Sequence, residues 1–220
     1  MKADLHLHTW FSHDCDVSPK RLVRRCQEVG INCIAITDHN STRGALEVRE
    51  LAPFTVIVSE EVSTTEGEII GLFLQEPIPR GLTPIQTVRH IRAQGGLVLV
   101  PHPYDRWRRG PLSENALHEV LRHTDIIESF NSRVISKQDL QQSLKLAIEA
   151  RLPHVASSDA HTLGEIGLAH TEFDGFDGTP QSFHAAIARG RVSGRQSPLW
   201  VHAQTAWVKL KKRLPGQQWS

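Results

Sequence analysis

The chain has 220 residues, a length typical of one globular domain rather than several. Hydrophobic residues make up 39% and charged residues 22% of it, and its apolar runs fall far short of the roughly 20 residues that a membrane helix needs. The 25 basic and 24 acidic residues nearly cancel, so no net field attracts long nucleic acid or an anionic membrane. The composition therefore excludes a transmembrane protein and disfavours a protein that binds long nucleic acid.

The N-terminus and the cysteines indicate the compartment. The first ten residues, MKADLHLHTW, carry one lysine and no apolar stretch, so we expect no secretory leader and a cytoplasmic protein. The cysteines, Cys15, Cys26 and Cys33, form no CxxC pair, which favours reduced thiols over disulfides or a cysteine zinc site. The one unusual feature of the composition is its 13 histidines.

Short β-branched runs alternate with segments of helical period along the chain, a pattern that predicts a βαβ protein with a parallel sheet or barrel. Helix start signals precede four of the helical segments, at Ser18-Pro19, Thr83-Pro84, Ser113 and Ser136, where a hydroxyl residue can cap the first turn. The predicted strands are Ala3–Thr9, Cys33–Thr37, Phe54–Ser59, Glu68–Leu74, Leu97–Pro101, Ile126–Phe130 and His154–Ser158.

The last part of the chain, residues 196–220, is predicted to be a basic tail that contains Trp200, Trp207 and Trp219 and packs on or extends from a domain of residues 1–195. One interpretation is a final helix whose Trp and Val residues cover an edge of the domain while its lysines are solvated. The other is a basic amphipathic surface for an acidic partner or a lipid headgroup. The sequence does not decide between them.

Histidine and carboxylate residues collect at the ends of the predicted strands. In the first strand, Asp4, His6 and His8 alternate with Leu5 and Leu7, and a period of two puts the polar side chains on one face. Two imidazoles about 6.6 Å apart along a strand can close on a single metal ion. The alternative, the polar face of an edge strand, is disfavoured because the leucines predict an interior strand.

The same residue types recur at most of the other strand ends. Any one of them could be a helix cap or a satisfied core histidine, but capping does not explain so many at the edge where parallel folds place their sites. Because cysteine is absent and the ligands outnumber those of one tetrahedral ion, we predict a multinuclear site for chemistry. These residues are Asp38, His39, Glu60, Glu61, Glu68, His102, Glu128, Asn131, Asp159 and His161.

A series of motifs covers residues 3 to about 161: DLHLHT, FSHDCDVSP with Asp14, ITDHN, EEVST, HP at His102, IESFN and SSDAH. In this order they resemble the polymerase and histidinol phosphatase (PHP) family of metal-dependent phosphoesterases. The resemblance implies an α/β fold, a distorted seven-stranded (β/α) barrel of a single domain, with a trinuclear metal centre at the carboxyl ends of its strands.

The resemblance also implies which residues bind the metals. Alignment with the family's E-V-S selects Glu61 rather than Glu60 as the bridging carboxylate. Glu61, Asp159 and His161 are the predicted catalytic residues. The implied ligands are His6, His8, Glu61 and Asp159 for one ion, Glu61 and His102 for a second, and Asp14, His39 and His161 for a third.

Glu68 stands where many family members have a histidine ligand. A carboxylate there adds negative charge, so we predict that it favours Mn or Fe over Zn at the second ion. The alternative is a solvated residue at a strand start. The predicted cofactors are about two to three divalent transition metal ions, Mn, Fe or Zn.

Residues around the ligands have predicted supporting roles. Asp38 and Glu128 are expected to orient histidine ligands, and His13 to lie on the surface. Arg106 and Arg109 in the loop HPYDRWRRG, and Arg133 with Asn131 after the sixth strand, are predicted to bind substrate phosphate, because arginine presents a rigid fork to oxyanions. The remaining histidines are expected to be structural or solvated: His90, His118, His123, His154, His170, His184 and His202.

The leading functional prediction is a metal-dependent phosphoesterase that hydrolyses a small phosphomonoester, a nucleotide or a short oligonucleotide with a metal-bridging hydroxide. A metallo-amidohydrolase is the first alternative, and a pocket without engaged arginines would favour it. A PHP domain that binds without catalysis is the second, and metal without turnover would favour it. The expected partner is a small phosphorylated substrate, not long nucleic acid, and the sequence leaves the oligomeric state open.

Overall fold

The computed structural model describes residues 1–108 and 110–213, and these form one sheet flanked by helices. The strands are β1 (Lys2–Leu7), β2 (Cys33–Ile36), β3 (Thr55–Thr64), β4 (Gly67–Leu72), β5 (Leu97–Val100), β6 (Ile126–Asn131), β7 (His154–Ser157), β8 (Ala169–Glu172) and β9 (Arg191–Gly194). The helices are α1 (Pro19–Val29), α2 (Arg43–Leu51), α3 (Pro84–Ala93), α4 (Glu114–Leu121), α5 (Lys137–Ala150), α6 (Pro180–Ile187) and α7 (Trp200–Lys212).

The sheet has the strand order β7-β6-β5-β4-β3-β2-β1-β8-β9. The β1–β2–β3 and β5–β6–β7 neighbours are parallel, whereas β4 runs antiparallel to β3 and β5. Leu7 also forms a parallel bridge with Ala160, which follows β7. This bridge brings β1 next to the segment that follows the edge strand β7, so the sheet curls into a nearly closed, distorted barrel.

The α/β barrel that the motifs imply is confirmed, but in the described residues it has two strands more than expected. The additional strands, β8 and β9, read AHTE and RVSG, and every residue of β9 is exposed. β8 pairs antiparallel with β1, and β9 pairs antiparallel with β8. β9 is an exposed edge strand, and β8 buries only the small residues Ala169 and Thr171. Neither strand carries an apolar run, so hydrophobic patterning did not reveal them.

Helices begin at all four of the start signals in the sequence. Thr83 caps α3 with a reciprocal capping box, and Ser113 and Ser136 accept hydrogen bonds from backbone amides of α4 and α5. Two further helices were not predicted. The signal for α6 was present, since Thr179 precedes Pro180 and its hydroxyl accepts from the Ser182 amide, whereas the residue before α2 makes no side-chain cap.

The core lies on both faces of the sheet. In β5, Val98 and Val100 contact one hydrophobic cluster, and Leu97 and Leu99 contact the other, as the alternation of a strand requires. The first cluster includes side chains of α1 to α5. The second is closed by α6, whose Phe183 is fully buried. With both faces covered, functional side chains can meet only at an edge of the sheet.

The predicted tail forms helix α7. Val201 and Val208 are buried as expected, but Trp200 and Trp207 are 60% and 64% exposed, so the tryptophans do not cover the domain. Trp219 lies outside the described residues. Among the helices described, none combines the length and apolar character that crossing a bilayer requires.

Candidate metal centre

The predicted metal ligands meet at the edge formed by the carboxyl ends of the parallel strands. His6 belongs to β1, Glu61 to β3 and Glu68 to the start of β4. The other predicted ligands follow the ends of strands. Their donor atoms form overlapping groups within 4.8 Å of one another. We call this set the His–carboxylate cluster: His6, His8, Asp14, His39, Glu61, Glu68, His102, Asp159 and His161.

The first group of the cluster contains two imidazoles and two carboxylates. The Nε2 atoms of His6 and His8 each lie 3.4 Å from Oε2 of Glu61. The same nitrogens lie 3.5 and 3.4 Å from Oδ1 of Asp159. All four side chains are buried. Four donors that converge in this way match the set that the resemblance implies for one ion.

The second group contains Glu61, His102 and Glu68. Oε1 of Glu61 lies 3.1 Å from Nε2 of His102, and Oε2 of Glu68 lies 4.0 Å from the same nitrogen. Glu68 reaches this edge from the start of its strand because β4 is antiparallel, with Ser63 opposite Glu68 in the register. The two carboxylate oxygens of Glu61 therefore face two different groups of donors, as a bridging ligand would require.

The third group surrounds Asp14. Its Oδ1 lies 3.3 Å from Nε2 of His161, and its Oδ2 lies 3.5 Å from Nε2 of His39. The opposite ring nitrogen of His39 lies 3.2 Å from Glu61, so this imidazole connects the third group to the first. His13, expected on the surface, is exposed and lines the pocket. Its ring centroid lies 4.8 Å from that of His39, with the two rings tilted by 45°.

Hydrogen bonds orient the predicted ligand side chains from the side opposite the cluster. His6 donates through Nδ1 to Glu128 at 3.0 Å, and the backbone amide of His102 donates to the other oxygen of Glu128 at 2.8 Å. The Nδ1 atom of His8 lies 2.9 Å from Oγ of Ser12, which donates to Asp38 at 2.7 Å. Both histidines thus present Nε2 to the cluster, an arrangement typical of metal-binding imidazoles.

Two of the predicted ligands have backbone conformations that are rare for non-glycine residues. His102 has φ of 29° and Asp159 has φ of 53°. Such left-handed conformations cost free energy and concentrate at functional sites, where the surrounding structure enforces them. At His102 this conformation departs from the extended backbone that the following Pro103 favours, and the hydrogen bond from the His102 amide to Glu128 helps to hold it.

Buried carboxylates raise the pKa of two imidazoles in the cluster. Burial lowers the pKa of His6, but the carboxylates of Asp159 and Glu61 prevail and raise it well above its ordinary value. Burial also opposes the charged form of His39, yet Glu61 and Asp14 raise its pKa to about 10. The carboxylates thus favour a positive charge on these imidazoles, and they would favour a bound cation in the same way.

The cluster fits divalent metal ions. Nε2 of His6 and of His8, Nδ1 of His39 and Oδ1 of Asp14 are buried, and within the described residues they have no hydrogen-bond partner. Buried polar atoms are otherwise almost always paired. Imidazole and carboxylate donors without cysteine are suited to Mn, Fe or Zn.

The arginines predicted to bind substrate occupy different places. Arg133 is 3% exposed and lines the pocket beside the cluster. Arg106 lies outside the pocket lining, where its side chain is 56% exposed and pairs with Asp139 of α5 at 2.7 Å. Arg109 lies outside the described residues. Asn131 is buried and donates to Glu128 and to Asp159, at 2.9 and 3.1 Å, so it holds the cluster rather than lining the pocket.

Arg108, which the sequence analysis did not select, lies in the pocket instead. Its guanidinium donates to Oδ2 of Asp159 at 2.6 Å, and it also pairs with Asp105. Burial opposes its charge, but the two carboxylates raise the pKa of Arg108 above its ordinary value. Three arginines in four positions of the loop look alike in the sequence, so the sequence alone does not reveal that Arg108 turns inward.

Helix α7 forms the outer wall of the same pocket, which has a volume of about 430 Å³. His202, Thr205 and Lys209 line it, and Nζ of Lys209 lies 3.7 Å from Oδ2 of Asp14. The sequence analysis did not place His202 or Lys209 beside the predicted metal ligands. Their spacing of three and four residues puts them on one helix face, but which face meets the domain depends on docking.

Comparison with known protein families matches two parts of the chain. Residues 4–63 match the PHP domain, and residues 137–192 match the PHP-associated region. The chain belongs to the PHP domain family. The family that the motifs resembled is thus confirmed, and the PHP domain match contains His6, His8, Asp14, His39 and Glu61 of the cluster.

Three proteins are similar in sequence to this PHP protein. Two are uncharacterized proteins of Methanocaldococcus jannaschii: one is 44% identical over 117 residues, 47% of this chain and 68% of that protein. The other is 37% identical over 177 residues, 79% of this chain and 70% of that protein. A third, named 5'-3' exoribonuclease, from Haemophilus influenzae, is 29% identical over 119 residues, 47% of this chain and 43% of that protein.

A solved structure shares the PHP fold. It is a two-domain protein from Bacteroides vulgatus, described as containing a predicted PHP-like metal-dependent phosphoesterase, with a TM-score of 0.73 and 18% identity. The similarity covers 89% of this chain and 65% of that one, so this chain spans slightly less than two thirds of that protein.

Proposed function

We propose that this PHP protein is a metal-dependent phosphoesterase that releases phosphate from a small phosphomonoester or a nucleotide, or cleaves a short oligonucleotide. The observation that carries the proposal is the convergence of buried, unpartnered histidine and aspartate atoms beside a pocket that also contains Arg108 and Arg133. Metal ligands and arginines together suit an anionic ester. The name of the Haemophilus relative supports testing short RNA.

The residues of the cluster have distinct proposed roles. The first ion would be held by His6, His8, Glu61 and Asp159, the second by Glu61, His102 and Glu68, and the third by Asp14, His39 and His161. Bound there, divalent ions supply an activated water and positive charge that offsets the phosphoryl oxygens.

The protein itself orients the ligands and the substrate. Glu128 fixes His6 and the backbone of His102, and Ser12 fixes His8. The positive charges of Arg108 and Arg133 face the pocket and would hold the phosphate. Engaged arginines in the pocket favour a phosphoester over an amide substrate, since a neutral amide offers them no charge.

The experiment combines metal analysis with a substrate panel. Protein purified without chelator should contain about two to three transition-metal ions per chain. With Mn added, it should hydrolyse at least one of a nitrophenyl phosphate, a nucleoside monophosphate or a 5'-phosphorylated short oligoribonucleotide. A metal content of half an ion per chain or less would overturn the metal centre, and full metal content without turnover would indicate a binding domain.

A further inference from the structure

Helix α7 is tied to the metal pocket at several points along its length. Arg133 donates through Nη2 to Oγ1 of Thr205 at 2.8 Å. At the last turn, Nζ of Lys212 donates to the backbone carbonyls of Trp10 and Ser12 at 2.6 and 2.7 Å. Before the helix, the Ser197 amide donates to the Ser132 carbonyl at 2.6 Å. The helix is therefore fixed over the loop that carries Asp14, and it is not a loose tail.

Lys209 lies between these ties and faces the cluster. It is three residues before Lys212 on the same helix face, and its ammonium group lies 3.7 Å from Oδ2 of Asp14. If Asp14 binds metal as proposed, the metal ion neutralises its carboxylate. The ammonium group of Lys209 is then available to a second anion in the pocket.

Arg133 also has unused hydrogen-bond donors. Its Nε and Nη1 atoms are buried and have no hydrogen-bond partner in the part of the chain that the structure describes. The nearest carboxylate, Glu165, lies 3.7 Å from Nη1 and already accepts from the Ser197 hydroxyl. A buried guanidinium with two unpaired donors is costly unless a ligand completes it.

Two further groups of α7 complete the wall. The hydroxyl of Thr205 accepts from Arg133, so its own proton is available to an oxyanion in the pocket. His202 is on the same wall, and burial, together with the nearby positive charges of Arg133 and Arg108, lowers its pKa. The imidazole is thus kept neutral and can donate one hydrogen bond without adding to the positive charge.

We propose that Lys209, Thr205 and His202 of α7 form, with Arg133, a phosphate-binding subsite that holds the oxyanion of the substrate against the metal cluster. The proposal rests on the proposed function for the identity of the substrate, but phosphate binding can be measured without turnover. It makes the C-terminal helix a part of the substrate site. Lys209 and Arg133 become residues that select a phosphorylated substrate.

The test is calorimetric titration of the full-length, Mn-loaded protein with inorganic phosphate. Lys209→Met keeps the aliphatic stem and removes the charge, and it should weaken phosphate binding by about tenfold or more, the usual effect of losing a charge-assisted hydrogen bond. The metal content should stay unchanged. Lys209→Arg should restore most of the affinity, because the charge returns.

Two controls separate the subsite from general effects. Gln204→Ala changes an exposed residue of the same helix, and Lys145→Met removes an exposed lysine of α5 that pairs with Glu149. Both should bind phosphate like the wild type. Equal loss of affinity in Lys145→Met would overturn the proposal, because the effect would then be one of net charge.

The outcomes also separate this proposal from the proposed function. Unchanged phosphate affinity in Lys209→Met overturns the subsite, even if the protein hydrolyses phosphoesters. Loss of metal in Lys209→Met also overturns it, because the lysine would then act on Asp14 alone. Weakened phosphate binding supports the subsite even when the substrate panel gives no turnover. The absence of turnover would overturn only the proposed function.

Discussion

Glu60 and Glu61 are neighbours in β3 whose side chains face opposite ways. Glu61 contacts imidazoles of the cluster, whereas Oε2 of Glu60 accepts from the Ile78 amide at 2.9 Å. Burial raises the pKa of Glu60 to about 7, so this carboxyl is partly neutral near that pH. The two residues are therefore suited to a matched comparison, because Glu61 contacts the cluster and Glu60 binds the backbone of a loop.

We predict that Glu61→Gln loses metal and activity together, because the amide cannot serve two ions as a carboxylate can. Glu60→Gln should be mild, because an amide oxygen can accept from Ile78 equally well. Elemental analysis and turnover of both variants check this. An inactive Glu60→Gln beside a metal-loaded Glu61→Gln would contradict the assignment.

Arg108 and Arg106 offer a second matched pair, in one loop. Arg108→Ala removes the group that pairs with Asp159 and should lower kcat/KM. The loss of transition-state stabilisation should be about 1.5–3 kcal/mol, the usual value of a hydrogen bond to a charged group. Arg106→Ala removes a half-exposed ion pair with Asp139 and should change kcat/KM by less than about 1 kcal/mol. Steady-state kinetics on a substrate from the panel measures both, and equal effects would place the phosphate elsewhere.

Substitution of Glu68 tests whether one residue sets the metal preference. Its carboxylate lies 3.5 Å from His39 and 4.0 Å from His102, near enough to share an ion with them. Glu68→His should move the preference from Mn toward Zn in a reconstitution series, because imidazole is a softer and uncharged ligand. If Glu68→Ala keeps the metal content, the metal preference and turnover of the wild type, the residue is a bystander.

At the level of the loop, Gly110 packs directly against the cluster. A Cβ atom at this position would lie 2.2 Å from Oε2 of Glu68 and 2.9 Å from Cε1 of His102. The Gly110 carbonyl also accepts from the Glu68 amide at 2.8 Å, so the backbone has little freedom to retreat. The loop between β5 and α4 thus sets the position of the second group of ligands.

We predict that Gly110→Ala displaces Glu68 and His102 and lowers the metal content by about one ion per chain. Gly175→Ala is the matched control, since a Cβ there meets nothing within 4 Å. Metal analysis and thermal unfolding of both variants check the prediction. Full metal content in Gly110→Ala would show that the side chains of the cluster can adjust.

The sequence predicted the ligand-bearing strands well because their signals are local. The alternation of His6 and His8 and the prolines around His102 are visible in a few residues each. The direction of β4 was not visible, since strand patterning is the same in either direction. Nor was the inward face of α7, because Lys209 is part of a lysine-rich run that local pattern treats as solvated, and only docking decides which lysine is covered.

The site is a product of the whole fold. Its residues extend from His6 in the first strand to Lys209 in the last helix, and the bridge between Leu7 and Ala160 brings Asp159 next to His8. The same closure gathers several buried carboxylates into one place. Such a concentration of charge needs compensating cations, and protons and metal ions compete for that role.

This competition predicts that metal binding releases protons. The pKa of His39 is about 10 and that of His6 is well above its ordinary value in the metal-free state, so both imidazoles are protonated at pH 7. A metal ion binds only an unprotonated nitrogen. Loading the cluster at pH 7 should therefore release about two protons per chain, and metal affinity should rise as the pH increases toward 10.

Calorimetric titration with Mn in buffers of different ionisation enthalpy measures this release, because the observed heat then changes with the buffer in proportion to the protons that leave. His39→Asn should reduce the number released, since this variant has one titrating imidazole fewer. The release should also fall as the pH passes the pKa of His39, where that imidazole has already lost its proton. Heats that are independent of the buffer at pH 7 would contradict the prediction, since they would mean that the imidazoles are neutral before the metal arrives.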